Sequence, residues 1–201
     1  LDYINNDSSA DSMLNSINGS TSAATQMLKA KVSKTGYENT DKSSEDLQNA
    51  IDKLAGKKST VFKDARESKD TSKVTAAAQE LIDKYNSLVE VMSKTSSSLD
   101  EFYKKALKGL PKSIKESLEK VGITYNSDGT LEVDSDKLKK ADVDSLEKIF
   151  GSDSEFMKKL SFVTDRIESN AEANLQSVSS TYSSTADIMS SFNSSKYDFL
   201  G

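Results

Sequence analysis

Three groups of residues have the types and spacing for chemistry. In GITYNSDGTLEVD, residues 122–134, polar and acidic groups surround Gly129 almost as calcium ligands do. With Gly129 at the invariant glycine of a calcium loop, Asn126 and Asp128 fall on ligand positions. The first and last positions then fall on Thr124 and Ser135, and the last requires a bidentate Glu. The stretch therefore reads as a turn, with no metal ligand assigned. Two Ser-x-x-Lys pairs, Ser117 with Lys120 and Ser145 with Lys148, have the spacing of a Ser–Lys nucleophile. In a chain so rich in both residues that spacing arises by chance. Both pairs fall on short amphipathic segments and read as solvated surface. Asp165, Glu168 and Glu172 approximate one helical face and imitate a catalytic carboxylate pair, but read as the wet side of a coiled coil. The chain has no Cys and no His, which excludes thiol nucleophiles, imidazole bases and the commonest zinc ligands. The expectation is a non-enzymatic protein with no catalytic residue, no cofactor and no metal.

The whole chain sets the bounds for any site. Its 201 residues suffice for one ordinary domain, yet hydrophobic residues make up only 35% and charged ones 29%. A sphere needs more core; helices that each bury one narrow stripe do not. Net charge is −5 with both signs interspersed, so no basic face is left for nucleic-acid phosphates. No apolar run approaches the length of a membrane span. The first residue is Leu1 rather than Met, which reads as a fragment or processed form.

Residues 1–43 read as a polar N-terminal arm, partly helical or disordered and broken near Gly19. Residues 44–201 read as an elongated helical domain, beginning with a short helix that starts near Ser43 and stops at Gly56. Thr60, Val61 and Phe62 have the composition of a short strand. From Val74 to Ala106 apolar residues alternate steps of four and three, including Leu81, Tyr85, Leu88, Met92, Leu99 and Phe102. A repeat of about 3.5 residues predicts one long coiled-coil-like helix over 72–108, ended by Pro111. Ser113 and Glu116 form a capping-box pattern, and so do Ser152 and Glu155. An insert over 110–151 carries a predicted hairpin: Ile123 to Tyr125 and Leu131 to Val133 alternate about a four-residue turn. Gly129 supplies the turn's positive φ. A second long helix over 153–195 follows, with Ile167, Val178 and Met189 in one eleven-residue column and Tyr182 and Phe192 on the same face. Nine serines between Ser177 and Ser195 weaken its end. The predicted fold is mainly α: an elongated antiparallel pair of long helices, about 50–60 Å long at about 1.5 Å per residue, with one small β-hairpin insert.

Several of these stretches occur in a familiar order. LIDKYNSLVEVMSK (81–94) resembles the long-helix segment of the bacterial flagellar filament-cap proteins, the hook-associated cap family. VGITYNSDGTLEVDSDKLKKA (121–141) is similar to that family's Gly-Ile, Asp-Gly-Thr-Leu and Lys-Leu pattern, and LEKIFG (146–151) to its short helix ending in Leu-Phe. The resemblance covers residues 75–200, the family's C-terminal helical leg region. It implies a secreted axial protein of the bacterial flagellum that self-associates on the filament tip and contacts flagellin or other axial proteins through its helices. The seams would assemble the helices. The tail residues Tyr197, Phe199 and Leu200 are candidates for partner contact. A secreted coiled-coil adhesin or surface-binding module, displaying the 110–151 insert, is the rival reading.

Overall fold

The computed structural model describes the backbone of residues 7–95 and 97–197, and the side chains of 25, 29, 31–95 and 97–180. By compactness the chain divides into two units, residues 36–173 and residues 1–35 with 174–201. In the latter unit the described backbone is helical throughout.

Helix α1 (Asp7–Ala55) is continuous through Gly19 and through Ser43, where breaks were expected. Ser44 does not cap a helix. Its buried Oγ donates to the Thr40 carbonyl at 2.9 Å, a bond made from inside a helix. The expected stop is present: α1 ends at Ala55, and Gly56 closes the last turn through its N–H to Asp52 O. Thr60 to Phe62 do not form a strand; Val61 and Phe62 open helix α2 (Val61–Ser68), which buries Phe62 and Ala65. Tertiary burial of that amphipathic face outweighs the β-branched composition.

The predicted 72–108 helix is two helices, α3 (Ser72–Met92) and α4 (Ser98–Ser113). Ser93 Oγ and Thr95 Oγ1 bond back to the carbonyls of Glu90 and Met92, competing with continuation of the helix. Ser97 then caps α4 in a reciprocal capping box with Asp100. The chain folds back here. Tyr85 and Lys108, which a straight helix would hold about 35 Å apart at about 1.5 Å per residue, both reach Gly129. Pro111 does not stop the helix ahead of itself but lies buried in the last turn of α4, and Ile114 N–H closes that turn on Pro111 O. The Ser113–Glu116 capping box does not form. Ser113 Oγ donates to Leu110 O, and α5 (Lys115–Lys120) starts without a side-chain cap.

Strands β1 (Ile123–Tyr125) and β2 (Leu131–Val133) pair antiparallel, Ile123 opposite Val133 and Tyr125 opposite Leu131. Helices α6 (Ser135–Lys140) and α7 (Val143–Phe150) are capped by Asp134 and Asp142. Helix α8 (Glu155–Tyr197) takes its capping hydroxyl from Ser154, whose Oγ receives the Met157 N–H, and not from Ser152.

The fold is mainly α, with long helices and one small hairpin. The antiparallel partner of both α3 and α8 is α1. Lys84 bonds Asp46 at 3.0 Å and Lys53 bonds Glu80 at 2.5 Å, so numbering rises on α1 as it falls on α3. Gln48 and Ser161 exchange hydrogen bonds at 2.9 and 3.2 Å, while Asp41 meets Glu168, the same sense for α8. Helices α3 and α8 therefore run in the same direction, and the N-terminal helix supplies the pairing that the two predicted long helices were expected to make with each other. Among the described residues no helix is long and apolar enough to cross a membrane.

Candidate functional site: a clamped hairpin and exposed helix faces

A two-stranded hairpin is marginal in water unless it rests on something. Here Ile123 and Leu131 are buried, Tyr125 and Val133 half-buried, and Thr124 and Glu132 exposed, so one face packs and the other is wet. The turn is self-contained. Asp128 Oδ1 accepts from both the N–H and the hydroxyl of Thr130, at 2.9 and 2.6 Å, and Gly129 has φ of 92°. The Thr130 hydroxyl, then its backbone N–H, hold the Asp128 carboxyl below its usual pKa. Its Oδ1 is engaged in the turn. At the other end Gly122, with φ of 86°, ends α5; a Cβ there would lie 2.6 Å from Lys137 Cβ.

Two consecutive residues of α3 hold this hairpin. The Tyr85 hydroxyl donates to Gly129 O at 2.8 Å. Asn86 pairs with Leu131 as another strand would, its Nδ2 donating to Leu131 O at 2.7 Å and its Oδ1 accepting the Leu131 N–H at 2.8 Å. Tyr85 is among the largest fully buried side chains, and burial drives its pKa far up, with Tyr125 and Asp128 adding to the shift. Two of the stretches that carried the resemblance thus meet in space, with Tyr85-Asn86 of 81–94 gripping Gly129 to Leu131 of 121–141. No local sequence pattern marks Asn86, because its partner is 45 residues away.

The predicted seams separate into core and surface. Leu81, Tyr85, Leu88, Met92 and Ile167 are buried. Leu99 and Phe102, expected in the same seam, are instead 47% and 63% exposed, because α4 restarts in a new phase and buries Leu107. Val178 is half-buried. The side chains of Tyr182, Met189, Phe192 and Tyr197, and the residues Phe199 and Leu200, lie outside those described.

The exposed start of α4 is anchored by Asp100, which is 2% exposed. It accepts from the Tyr37 hydroxyl at 3.0 Å, Asn170 Nδ2 at 2.7 Å and Ser97 N–H at 2.9 Å, joining α1, α4 and α8. Burial, then the neighbouring carboxylate, raises the Tyr37 pKa. A sequence signal existed, the S-x-x-D spacing of Ser97 and Asp100 ahead of an apolar run, but the unbroken heptad spacing obscured it.

Ser117, Lys120, Ser145 and Lys148 line one shallow cavity of about 340 Å³. Ser145 Oγ, however, donates to Asp142 Oδ2 at 2.7 Å, and both lysines are exposed. Asp165 and Glu172 are exposed, as a wet face requires, and α1 adds a carboxylate: oxygens of Asp41, Glu168 and Glu172 lie within 4.8 Å of one another. Burial first, then Asp41, Glu172, Asp165 and Glu45, push the Glu168 pKa up. A carboxyl raised in the folded state binds more protons there than when unfolded. Stability is therefore highest below the unfolded pKa and falls as pH rises through the folded one. Glu168→Gln is expected to raise stability at pH 7 by about 0.5 kcal/mol after discounting for solvent screening, and to give no gain at pH 4. Urea midpoints at the two pH values test this, and an equal shift at both would refute it.

Residues 108–199 match the family described as the flagellar hook-associated protein 2 C-terminus. This C-terminal region is of the flagellar filament-cap family. No curated protein and no solved structure matches the chain. The match begins on α4, takes in the hairpin with its flanking helices, and runs to the end of α8. It leaves out 81–94, which the fold ties to it through Tyr85 and Asn86. The family points to a structural role of the flagellar cap type rather than to enzymatic chemistry.

Proposed function

We propose that the chain is a secreted assembly protein of the bacterial flagellum that binds flagellin or sister subunits through its helix faces. The observation that carries this is the family match over residues 108–199, which begins on the helix presenting Leu99 and Phe102 and ends with the last helix. The buried seam residues Leu81, Tyr85, Leu88, Met92 and Ile167 hold the helices together and are inaccessible to a partner. Contact with flagellin falls to the C-terminal half of α8, with Val178, Tyr182, Met189 and Phe192, and to the tail with Tyr197, Phe199 and Leu200. Helix-in-groove recognition uses apolar anchors at such spacing.

Immobilised chain is expected to retain purified flagellin above a blank matrix, and Phe199→Ser with Leu200→Ser is expected to lower that retention at least about fivefold, as loss of apolar anchors does. Labelled chain is expected at filament tips. No retention by the unaltered chain would exclude the flagellin contact, and uniform cell-surface labelling independent of flagella would favour the adhesin instead.

A further inference from the structure

The geometry points to a specific pair of faces through which copies of this chain meet: the α4 ridge of Leu99, Phe102 and Lys105 on one copy, and the α8 face of Phe162 and Asp165 on the next. It rests on the assembly reading above and names the surfaces.

The ridge is rigid, not frayed. Asp100 and the Ser97 capping box pin the first turn of α4, yet Leu99 and Phe102 on that turn stay 47% and 63% exposed. Beside Phe102, between lysines, lies a hollow of about 490 Å³. Helix α4 carries Lys104, Lys105, Lys108 and Lys112. Lys104 bonds Glu101, and the Lys108 stem lies against Gly129, whereas Lys105 and Lys112 are exposed. The ridge is apolar at its centre and cationic at its rim, the usual plan of a protein contact.

The α8 face has the complementary character. Phe162 is 60% exposed, and Asp165 and Glu172 follow it along the exposed side. Carboxylates of Asp41, Glu168 and Glu172 crowd within 4.8 Å, a repulsion that ammonium groups from another copy would relieve. Lys42 pairs with Asp46 at 3.7 Å, and Arg166 lies over the Phe162 ring at 5.1 Å, while Lys159, one turn before Phe162, is exposed. Pairing either face with itself would set lysines against lysines or carboxylates against carboxylates. The contact is therefore heterologous, ridge to face, which extends or closes a ring instead of stopping at a two-fold dimer.

Sedimentation velocity over a concentration series, at low and high salt, tests the pairing. Wild type is expected to associate, less so at high salt. Lys105→Glu with Lys112→Glu, and separately Asp165→Lys with Glu172→Lys, are each expected to weaken association at least about tenfold. Mixing the two variants is expected to restore it, because each then presents the other's complement. Phe102→Ser is expected to weaken it at any salt. All these positions are exposed, and unchanged helical circular dichroism confirms folding. If wild type associates while the variants do so equally, or the mixture fails to recover, these faces are wrong and the assembly reading stands. If wild type is monomeric throughout, the proposal is overturned, and flagellin retention then decides the assembly reading separately.

Discussion

Replacing Asn86 by Ala is expected to destabilise the protein by about 2–4 kcal/mol, although the side chain is only half-buried. Truncation removes a donor and an acceptor at once. The Leu131 N–H and C=O, on a residue 4% exposed, are left without the partners at 2.8 and 2.7 Å that stood in for a third strand. Tyr85→Phe keeps the ring in the core and removes only the bond to Gly129 O, for an expected loss of about 1–2 kcal/mol. Because both residues hold the same hairpin, the double variant should lose less than the two single losses added together. Urea unfolding followed by far-ultraviolet circular dichroism measures all three. A loss under about 0.5 kcal/mol for Asn86→Ala, the range of ordinary surface changes, would mean that the hairpin does not depend on this clamp.

The second large effect is expected at Asp100. Asp100→Ala removes the capping-box partner of Ser97 and the bonds that the Tyr37 hydroxyl and the Asn170 amide make to this carboxylate, for a loss of about 3 kcal/mol from cap and network together. Asp100→Asn keeps the shape but turns an amide N–H₂ toward donors, so it should recover less than half of that loss. Tyr37→Phe, which removes one donor and leaves two, is expected to cost about 1 kcal/mol. The same unfolding curves read these values. If Asp100→Ala and Tyr37→Phe prove equal, the carboxylate is not the junction of α1, α4 and α8.

Legibility of the fold tracks the range of the physics. The hairpin was readable because alternation and a positive-φ glycine are local: Ile123, Tyr125, Leu131 and Val133 face the core as their spacing requires, and Gly129 adopts φ of 92°. The mainly α class was readable for the same reason. The buried half of the first seam, Leu81 to Met92, followed from its period. Leu99 and Phe102 did not, because a heptad spacing records apolar positions and is blind to a reversal of the chain between them. The hydroxyls of Ser93, Thr95 and Ser97 make that reversal.

By itself the sequence determined what each segment can be: helix where apolar residues recur at three and four, turn where Asp128 and Gly129 stand, surface where serine and lysine cluster, and no thiol or imidazole chemistry anywhere. Only the tertiary structure decided which segments meet. It made α1 the antiparallel partner of both α3 and α8, set Asn86 against a strand edge 45 residues away, and sank Asp100 among donors from two other helices. The reason lies in how each is encoded. Propensity and periodicity act over a few residues and are written along the chain, whereas a polar group finds its partner only when burial removes water as the alternative.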